Sequence, residues 1–175
     1  MSPTYGVEEI PSQLYDSKTL GATDVSSSLF QDQVGVGGKT FYDTNMTASG
    51  QLPLPQTFKC YGFRAAALPD TTIALTIALM KGTMRLFVGH KHYYTIPLFW
   101  LSAGCGLFLN HEEAGAGTFG YGCFGEPRGD NIHLLSTPIE IGQGESLRVD
   151  LAWPVAPNVT KIYIFLVGLL TRATQ

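Results

Sequence analysis

From residue 56 onward, apolar side chains recur at every second position, as they do in a β-strand with one buried face. Thr57–Phe63 alternates in this way, and so does Leu147–Trp153, while Ile162–Val167 is apolar at every position, as in a strand covered on both faces. Turn sequences such as Gly142–Gly144 separate these runs, which gives about eight strands at roughly ten-residue spacing. Further strands are predicted at 73–79, 84–89, 91–96, 98–101, 107–109 and 132–141. The pattern predicts an all-β, antiparallel sandwich or barrel.

The first 50 residues have a different composition and are predicted to form an extended N-terminal arm with one or two short strands. They are rich in Ser, Thr, Gly, Asp and Gln, and Gly35–Gly38 is a flexible joint. Scattered apolar residues favour an arm that lies against another surface over a disordered tail. The sequence therefore predicts an arm at 1–50 and a single domain at 51–175, with a weak helix candidate at 12–20.

A glycine- and aromatic-rich segment spans residues 110–130 and is predicted to be a long loop. Glycines separate Phe119, Tyr121 and Phe124, and a segment this rich in glycine is a poor core strand. Loops of this length usually have a function. Packing against a neighbouring chain would order these aromatic side chains.

Charge is scarce in this sequence, and this limits the classes of partner. Asp, Glu, Lys and Arg make up 14% of the 175 residues, against roughly 25% in a typical soluble domain. Much of the surface is therefore neutral or apolar, which favours a subunit covered by other chains. The net charge of -3, without any run of basic residues, argues against direct contact with nucleic acid.

The targeting and cysteine patterns point to a chain that is made in the cytoplasm. The first 20 residues lack the basic and apolar regions of a signal peptide, and the apolar run at 162–170 is too short for a membrane-crossing helix. Cys60, Cys105 and Cys123 are odd in number and widely spaced, which favours buried thiols over a disulfide framework or a zinc site.

Three histidines offer an alternative with metal chemistry. His90 and His92 are two residues apart on a predicted strand, so their side chains share a face, and His133 follows later. The pattern is similar to the histidine signature of cupins, which are jelly-roll metal enzymes. The glutamate expected after the pair is replaced by Thr95 and Ile96, so structural histidines are the favoured reading.

The last third of the chain resembles the final strands of a viral capsid jelly roll. It contains a strand, a Gly-x-Gly turn, an alternating strand ending at Trp153–Pro154, and an apolar strand closing at Gly168–Arg172. With the low charge, the aromatic loop and the arm, residues 55–172 are similar in pattern to the smaller major capsid protein of tailless, internal-membrane, double-stranded DNA viruses of the sphaerolipovirus type.

This resemblance implies an eight-stranded jelly roll that serves as a structural subunit of an icosahedral virion, without catalysis or a cofactor. It implies a homodimer or higher oligomer, a larger sibling capsid protein and an underlying viral membrane as partners. The alternatives are another jelly-roll binding module, such as a spike, lectin-like or adhesion protein that uses Arg128–Asp130, and the cupin-like enzyme. The predicted assembly contacts are Leu14, Leu20, Phe30, Phe41, Tyr42, Phe119, Tyr121, Phe124, Tyr163 and Phe165.

Overall fold

The computed structural model describes residues 6–67, 78–101, 107–111, 120–124, 132–157 and 160–173. Side chains are described over the same ranges except 107–111, 120–124 and residue 160. These residues form ten strands, a 3₁₀ helix at Leu98–Trp100 and a helical turn at 78–80. The strands are β1 Val7–Leu20, β2 Ser26–Leu29, β3 Thr57–Ala67, β4 Thr83–Val88, β5 Lys91–Pro97, β6 Leu107–His111, β7 Gly120–Phe124, β8 His133–Ile141, β9 Leu147–Ala152 and β10 Thr160–Ala173.

Two four-stranded antiparallel sheets make up the body of the fold. The first sheet has the strand order β1-β10-β3-β8, and the second sheet has the order β2-β9-β4-β5. The remaining two strands, β6 and β7, pair with each other as an antiparallel hairpin. The predicted all-β class and antiparallel pairing are therefore confirmed.

The strand pairs are nested along the chain. The first strand pairs with the last, β2 with β9, β3 with β8, and β4 with β5. The β6-β7 hairpin is inserted between β5 and β8. β6 contains the predicted strand at 107–109, and β7 lies within the segment 110–130 that the sequence predicts as a long loop. The chain therefore follows the path of one long hairpin whose paired strands are shared between two sheets.

The core lies between the two sheets because alternate side chains of each strand point inward. On β9, Leu147, Val149 and Leu151 are buried, while the residues between them are less buried. The central strand β10 contributes Ile162 and Ile164 to the same core. Each such side chain contributes roughly 1.5–3 kcal/mol through burial of apolar surface.

Two segments of the predicted arm are incorporated into the sheets. All 14 residues of β1 pair with β10, and Ser26–Leu29 pairs with β9 in the second sheet. The helix candidate at 12–20 is wrong, because these residues belong to the strand β1. Leu14 and Leu20 are buried on this strand, which lies at the edge of the first sheet. This segment has few apolar residues because β1 lies at the edge of the sheet. One face and one edge of such a strand do not have to be buried under apolar side chains.

The free edge of β1 is closed by a proline and by an asparagine side chain. Tyr15 donates its backbone N–H to Asn45 Oδ1 at 2.9 Å, and Asn45 Nδ2 donates to the carbonyl of Gln13 at 2.6 Å. Residues 13 and 15 therefore direct their backbone groups away from β10, and by alternation Pro11 does the same. Proline lacks an N–H, so this position cannot pair with a further strand.

Asn45→Ala is expected to lower the free energy of unfolding by about 1–3 kcal/mol, because it removes two hydrogen bonds from the β1 backbone. Chemical denaturation measures this change. Thr47→Ala is the matched control, since Thr47 is an exposed residue of the same loop. An Asn45→Ala variant as stable as Thr47→Ala would contradict the role of this amide.

Two further strand predictions are wrong, one over its whole length and one at its end. Residues 98–100 form a 3₁₀ helix, and Leu101 follows it. Leu98 is the one buried residue among the three helical residues, because the chain turns out of the second sheet at this point. Leu79, predicted at the end of a strand, lies in the helical turn at 78–80, where its carbonyl accepts the Trp153 Nε1–H at 3.0 Å. Residues 73–77 of that predicted strand lie outside the described residues.

A glycine permits a close approach at the centre of the first sheet. The register of β10 against β3 shifts between Val167 and Gly168. A Cβ atom at Gly168 would lie 2.0 Å from the backbone oxygen of Lys59. No residue with a side chain fits here without displacement of the central strands.

Candidate interaction surface

A row of aromatic rings crosses the outer face of the first sheet, which is the face opposite the core. Phe165 on β10 lies 5.9 Å from the Tyr15 ring on β1 and stacks with Tyr163 at 6.2 Å between centroids. Tyr42, from the loop between β2 and β3, meets Tyr163 edge-on at 5.8 Å. Tyr15 donates its hydroxyl hydrogen to the carbonyl of Phe41, which fixes this loop to β1. We call these four rings the aromatic row.

Two cations lie on the aromatic row. The Arg64 guanidinium is 4.4 Å from the centroid of Phe165, and Lys161 Nζ is 4.8 Å from Tyr42 and 5.4 Å from Tyr163. These distances are those of cation–π contacts. Burial lowers the pKa of Arg64 and raises that of Tyr163. The row is therefore a partly desolvated surface that still carries positive charge.

An ion pair holds the loop on this surface. Lys161 Nζ donates to Asp43 Oδ1, and this hydrogen bond is the largest cause that lowers the pKa of Asp43 to about 2. Asp43 also accepts the Thr40 N–H at 2.8 Å. Asp43 therefore stays ionised at neutral pH, and the loop residues Phe41 and Tyr42 are held at the surface with 68% and 63% of their areas exposed.

Aliphatic side chains extend the aromatic row across the sheet. Val167 and Leu169 follow Phe165 on the same face of β10 and are half-buried. Leu134 on β8, opposite Gly62 of β3, is 70% exposed. At the rim, Lys59 Nζ lies 3.9 Å from Glu140 Oε1. The outer face thus combines apolar and aromatic side chains with charged groups of both signs, a mixture that is also found at protein–protein interfaces.

The outer face of the second sheet is polar by comparison. Ser28 Oγ donates to Asp150 Oδ1 at 2.7 Å, and Arg148 Nε lies 3.1 Å from the same oxygen. Arg85 and Thr95 are exposed on neighbouring strands of this sheet. The two sheets therefore have different surfaces, and the first sheet carries the candidate interaction surface.

Four of the predicted contact residues lie on this surface. Phe165 is half-buried in the aromatic row, and Tyr42 and Phe41 are exposed at the end of the row. Tyr163 is in the row but is buried within this chain, with the Tyr42 ring edge-on against it. The prediction is wrong for Leu14, Leu20 and Phe30, which belong to the buried core of this chain. Their side chains are buried within the chain, so they stabilise the subunit itself and are not available to a neighbour.

The predicted contacts in the glycine-rich segment are placed only in part. Phe119 lies outside the described residues, as does the adhesion tripeptide Arg128–Asp130. Tyr121 and Phe124 belong to β7, but their side chains lie outside the described part of the chain. Their role in assembly stays a prediction.

The three histidines serve different local roles. His92 Nε2 lies 2.8 Å from Thr95 Oγ1 and 3.0 Å from the carbonyl of Tyr94, on the same strand. His133 Nε2 is 3.0 Å from the hydroxyl of Tyr94, and His90 lies on the exposed turn before β5. The described residues, which include all three histidines, contain no group of three or more His, Cys, Asp or Glu side chains that could hold a metal ion. The alternative three-histidine site is therefore not formed.

The cysteine prediction is confirmed at Cys60, which is fully buried on β3. Burial raises the pKa of its thiol to about 12, so the sulfur stays protonated and unreactive at neutral pH. Cys105 and the side chain of Cys123 lie outside the described residues.

Sequence reasoning missed Tyr15, Arg64 and Leu134 as parts of this surface. In each case the residues before and after it on the same strand point to the core face. Because side chains alternate between the two faces of a strand, this places the three residues on the outer face of the sheet. This assignment requires knowledge of which face of each strand is inward, and the sequence does not fix the positions or faces of the short strands predicted in the arm.

Within the described ranges, none of the helical segments combines the length and the apolar character that membrane crossing requires. Comparisons with family models, with curated proteins and with solved structures find no match to this chain.

Proposed function

We propose that this chain is a structural subunit of an icosahedral virus capsid, built as an eight-stranded jelly roll. Nested strand pairing supports this fold, because a long hairpin rolled into two sheets is the arrangement that defines a jelly roll. Eight strands take part, and the β6-β7 hairpin is an insertion between β5 and β8. Jelly rolls occur in viral capsids, lectins and cupins, so the fold alone does not select among these functions.

The apolar outer face of the first sheet is the observation that favours assembly. In a chain with 14% charged residues, this face exposes Tyr42 and Leu134 and leaves Tyr15 and Phe165 half-buried. Single exposed apolar residues are ordinary, but a continuous apolar patch with a charged rim is typical of an interface. In a shell, each subunit buries such a face, and repetition around a closed particle makes modest contacts cumulative.

The proposal includes its partners and location. The subunit forms a homodimer or higher oligomer, contacts a larger sibling capsid protein, and lies over the viral membrane in the virion shell. Binding of nucleic acid is not part of this function, in keeping with the net charge of -3. The subunit has no catalytic role and needs no cofactor.

Leu134→Glu tests the proposal at a large, exposed apolar side chain that the first sheet presents on this face, on the edge strand β8. We expect self-association of the variant to weaken at least about tenfold, because a carboxylate would lose its hydration within an apolar interface. Sedimentation velocity and native mass spectrometry across a range of concentrations measure the effect. Since Leu134 is 70% exposed, the variant retains the fold of the subunit.

Val155→Glu is the matched control, because Val155 is 72% exposed but lies in the loop after β9. It should assemble as the unchanged chain does. The proposal is rejected if the unchanged chain remains a monomer at every concentration, alone and with sibling capsid proteins. Equal assembly of both variants would reject the first sheet as the interface.

A further inference from the structure

A polar cavity of about 490 Å³ lies at one end of the second sheet, away from the aromatic row. Its size is within the range of pockets that hold small molecules. The segment 49–51, the turn Gly89–His90 and the beginning of β9 surround it. The lining residues are Gln31, Ser49, Gly50, Gln51, Phe87, Gly89, His90, Ser146 and Arg148.

Backbone hydrogen bonds fix the walls of this cavity. The Gly89 N–H donates to the carbonyl of Ser146 at 2.7 Å, and Ser146 Oγ donates back to the carbonyl of Gly89 at 3.2 Å. On the other side, the Leu147 N–H donates to the carbonyl of Gly50 at 2.7 Å. The cavity is therefore preformed, which lowers the entropic cost of binding.

Arg148 is oriented by the Phe87 ring and by Asp150, which in turn is held by Ser28. Its guanidinium lies over the Phe87 ring at 4.6 Å, and its Nε lies 3.1 Å from Asp150 Oδ1. Asp150 is itself held by Ser28 at 2.7 Å. These contacts fix the plane of the guanidinium and use its Nε edge. Among the described residues, none binds its two terminal nitrogens.

The cavity is rich in hydrogen-bond donors and has no carboxylate among its lining side chains. The His90 imidazole, the Gln51 amide and the Ser49 hydroxyl make no side-chain hydrogen bond to another described residue. Arg148 is the one arginine or lysine among the described residues of the lining, and its ion pair with Asp150 engages only its Nε edge. The cavity suits a ligand that carries both a negative charge and several hydroxyl groups.

We propose that this cavity binds a sugar that carries a carboxylate. The two terminal nitrogens of Arg148 donate to the two carboxylate oxygens, since an oriented guanidinium forms paired hydrogen bonds with this group. His90, Gln51 and Ser49 bind the sugar hydroxyls. This inference goes beyond the proposed capsid function and is independent of it, because binding requires only the single subunit.

Calorimetric titration of the full chain tests the proposal with an oligosaccharide of glucuronic acid. The neutral glucose oligosaccharide of equal length and inorganic sulfate are titrated in parallel. We expect the acidic sugar to bind at least about tenfold more tightly than either, because it alone has both the carboxylate and the hydroxyl groups. Equal binding of the neutral sugar, equal binding of sulfate, or no binding of the acidic sugar would overturn the proposal.

Variants of Arg148 identify the carboxylate ligand. Arg148→Met should weaken the acidic sugar about 10- to 100-fold, and Arg148→Lys should weaken it less, since lysine keeps the charge but loses the paired geometry. Arg85→Met is the control, because Arg85 is exposed on β4 but does not line the cavity. Thermal melting verifies that each variant is folded. Unchanged binding by both folded Arg148 variants would reject the role of this residue.

Discussion

Replacing Gly168 with alanine is expected to lower the free energy of unfolding by about 3 kcal/mol or more. The added Cβ would lie 2.0 Å from the backbone oxygen of Lys59, at the register shift between β10 and β3. A backbone atom in the middle of a sheet cannot move aside as the end of a side chain can. Urea denaturation followed by circular dichroism measures the loss.

Gly89→Ala separates this steric effect from the cost of backbone conformation. Gly89 has a φ of 60°, but an added Cβ would meet no atom within 4 Å. Its substitution should cost only about 1 kcal/mol, through strain in the left-handed region. If Gly168→Ala were no more harmful than Gly89→Ala, the close approach of β10 to β3 would not be a determinant of stability.

Asp16→Ala is expected to destabilise the fold by about 3–5 kcal/mol, because it breaks a buried, hydrogen-bonded ion pair. The Asp16 carboxylate is fully buried and accepts from the Phe30 N–H at 2.6 Å and from Lys39 Nζ at 2.6 and 2.8 Å. Phe30 has a φ of 65°, which is rare for a residue other than glycine. Asp16 thus fixes the strained turn after β2 and the loop that leads to the aromatic row.

A double-mutant cycle with Lys39→Met tests this assignment. The cost of Asp16→Ala and Lys39→Met together should be smaller than the sum of the single costs by more than about 1 kcal/mol, because the two groups interact directly. Glu140→Ala, which breaks the exposed pair with Lys59, is the control and should change stability by less than about 1 kcal/mol. Additive costs for Asp16 and Lys39 would show that the buried pair is not coupled.

The strands of the sandwich could be predicted from the sequence where burial is regular. Alternation at 57–63, 84–89 and 147–153 identified β3, β4 and β9, because each has one face in the core. The apolar run at 162–167 identified β10, whose inner face lies in the core and whose outer face carries the aromatic row. In these strands, local pattern and tertiary environment agree.

The first strand could not be predicted because its environment is set by distant residues. Its pairing partner is β10, about 150 residues later, and its edge is covered by Asn45. Ser17 and Asp16 are buried on β1 even though they are polar, because Asp16 pairs with Lys39 from a loop. Such contacts leave no repeating pattern in the local sequence, so the sequence predicts an arm for this segment.

The candidate interaction surface was partly predictable for a related reason. Tyr163 and Phe165 were identified because an apolar outer face on a strand needs cover. The core positions of Leu14, Leu20 and Phe30 could not be distinguished from surface contacts, because apolar residues in a weakly patterned segment carry no information about which surface buries them. The cavity near Arg148 combines residues from four separate segments, so no motif predicted it.

The position of β10 between β1 and β3 also determines when the subunit can fold in the cell. In the first sheet β1 pairs with β10 alone, so the ribosome must make the last strand before the first has its partner. At 5–20 residues per second, β1 waits roughly 8–30 s for β10 during translation. Over this interval the nascent chain presents an unpaired strand and an unfinished core, so the yield of folded subunit depends on chaperones and on the rate of synthesis.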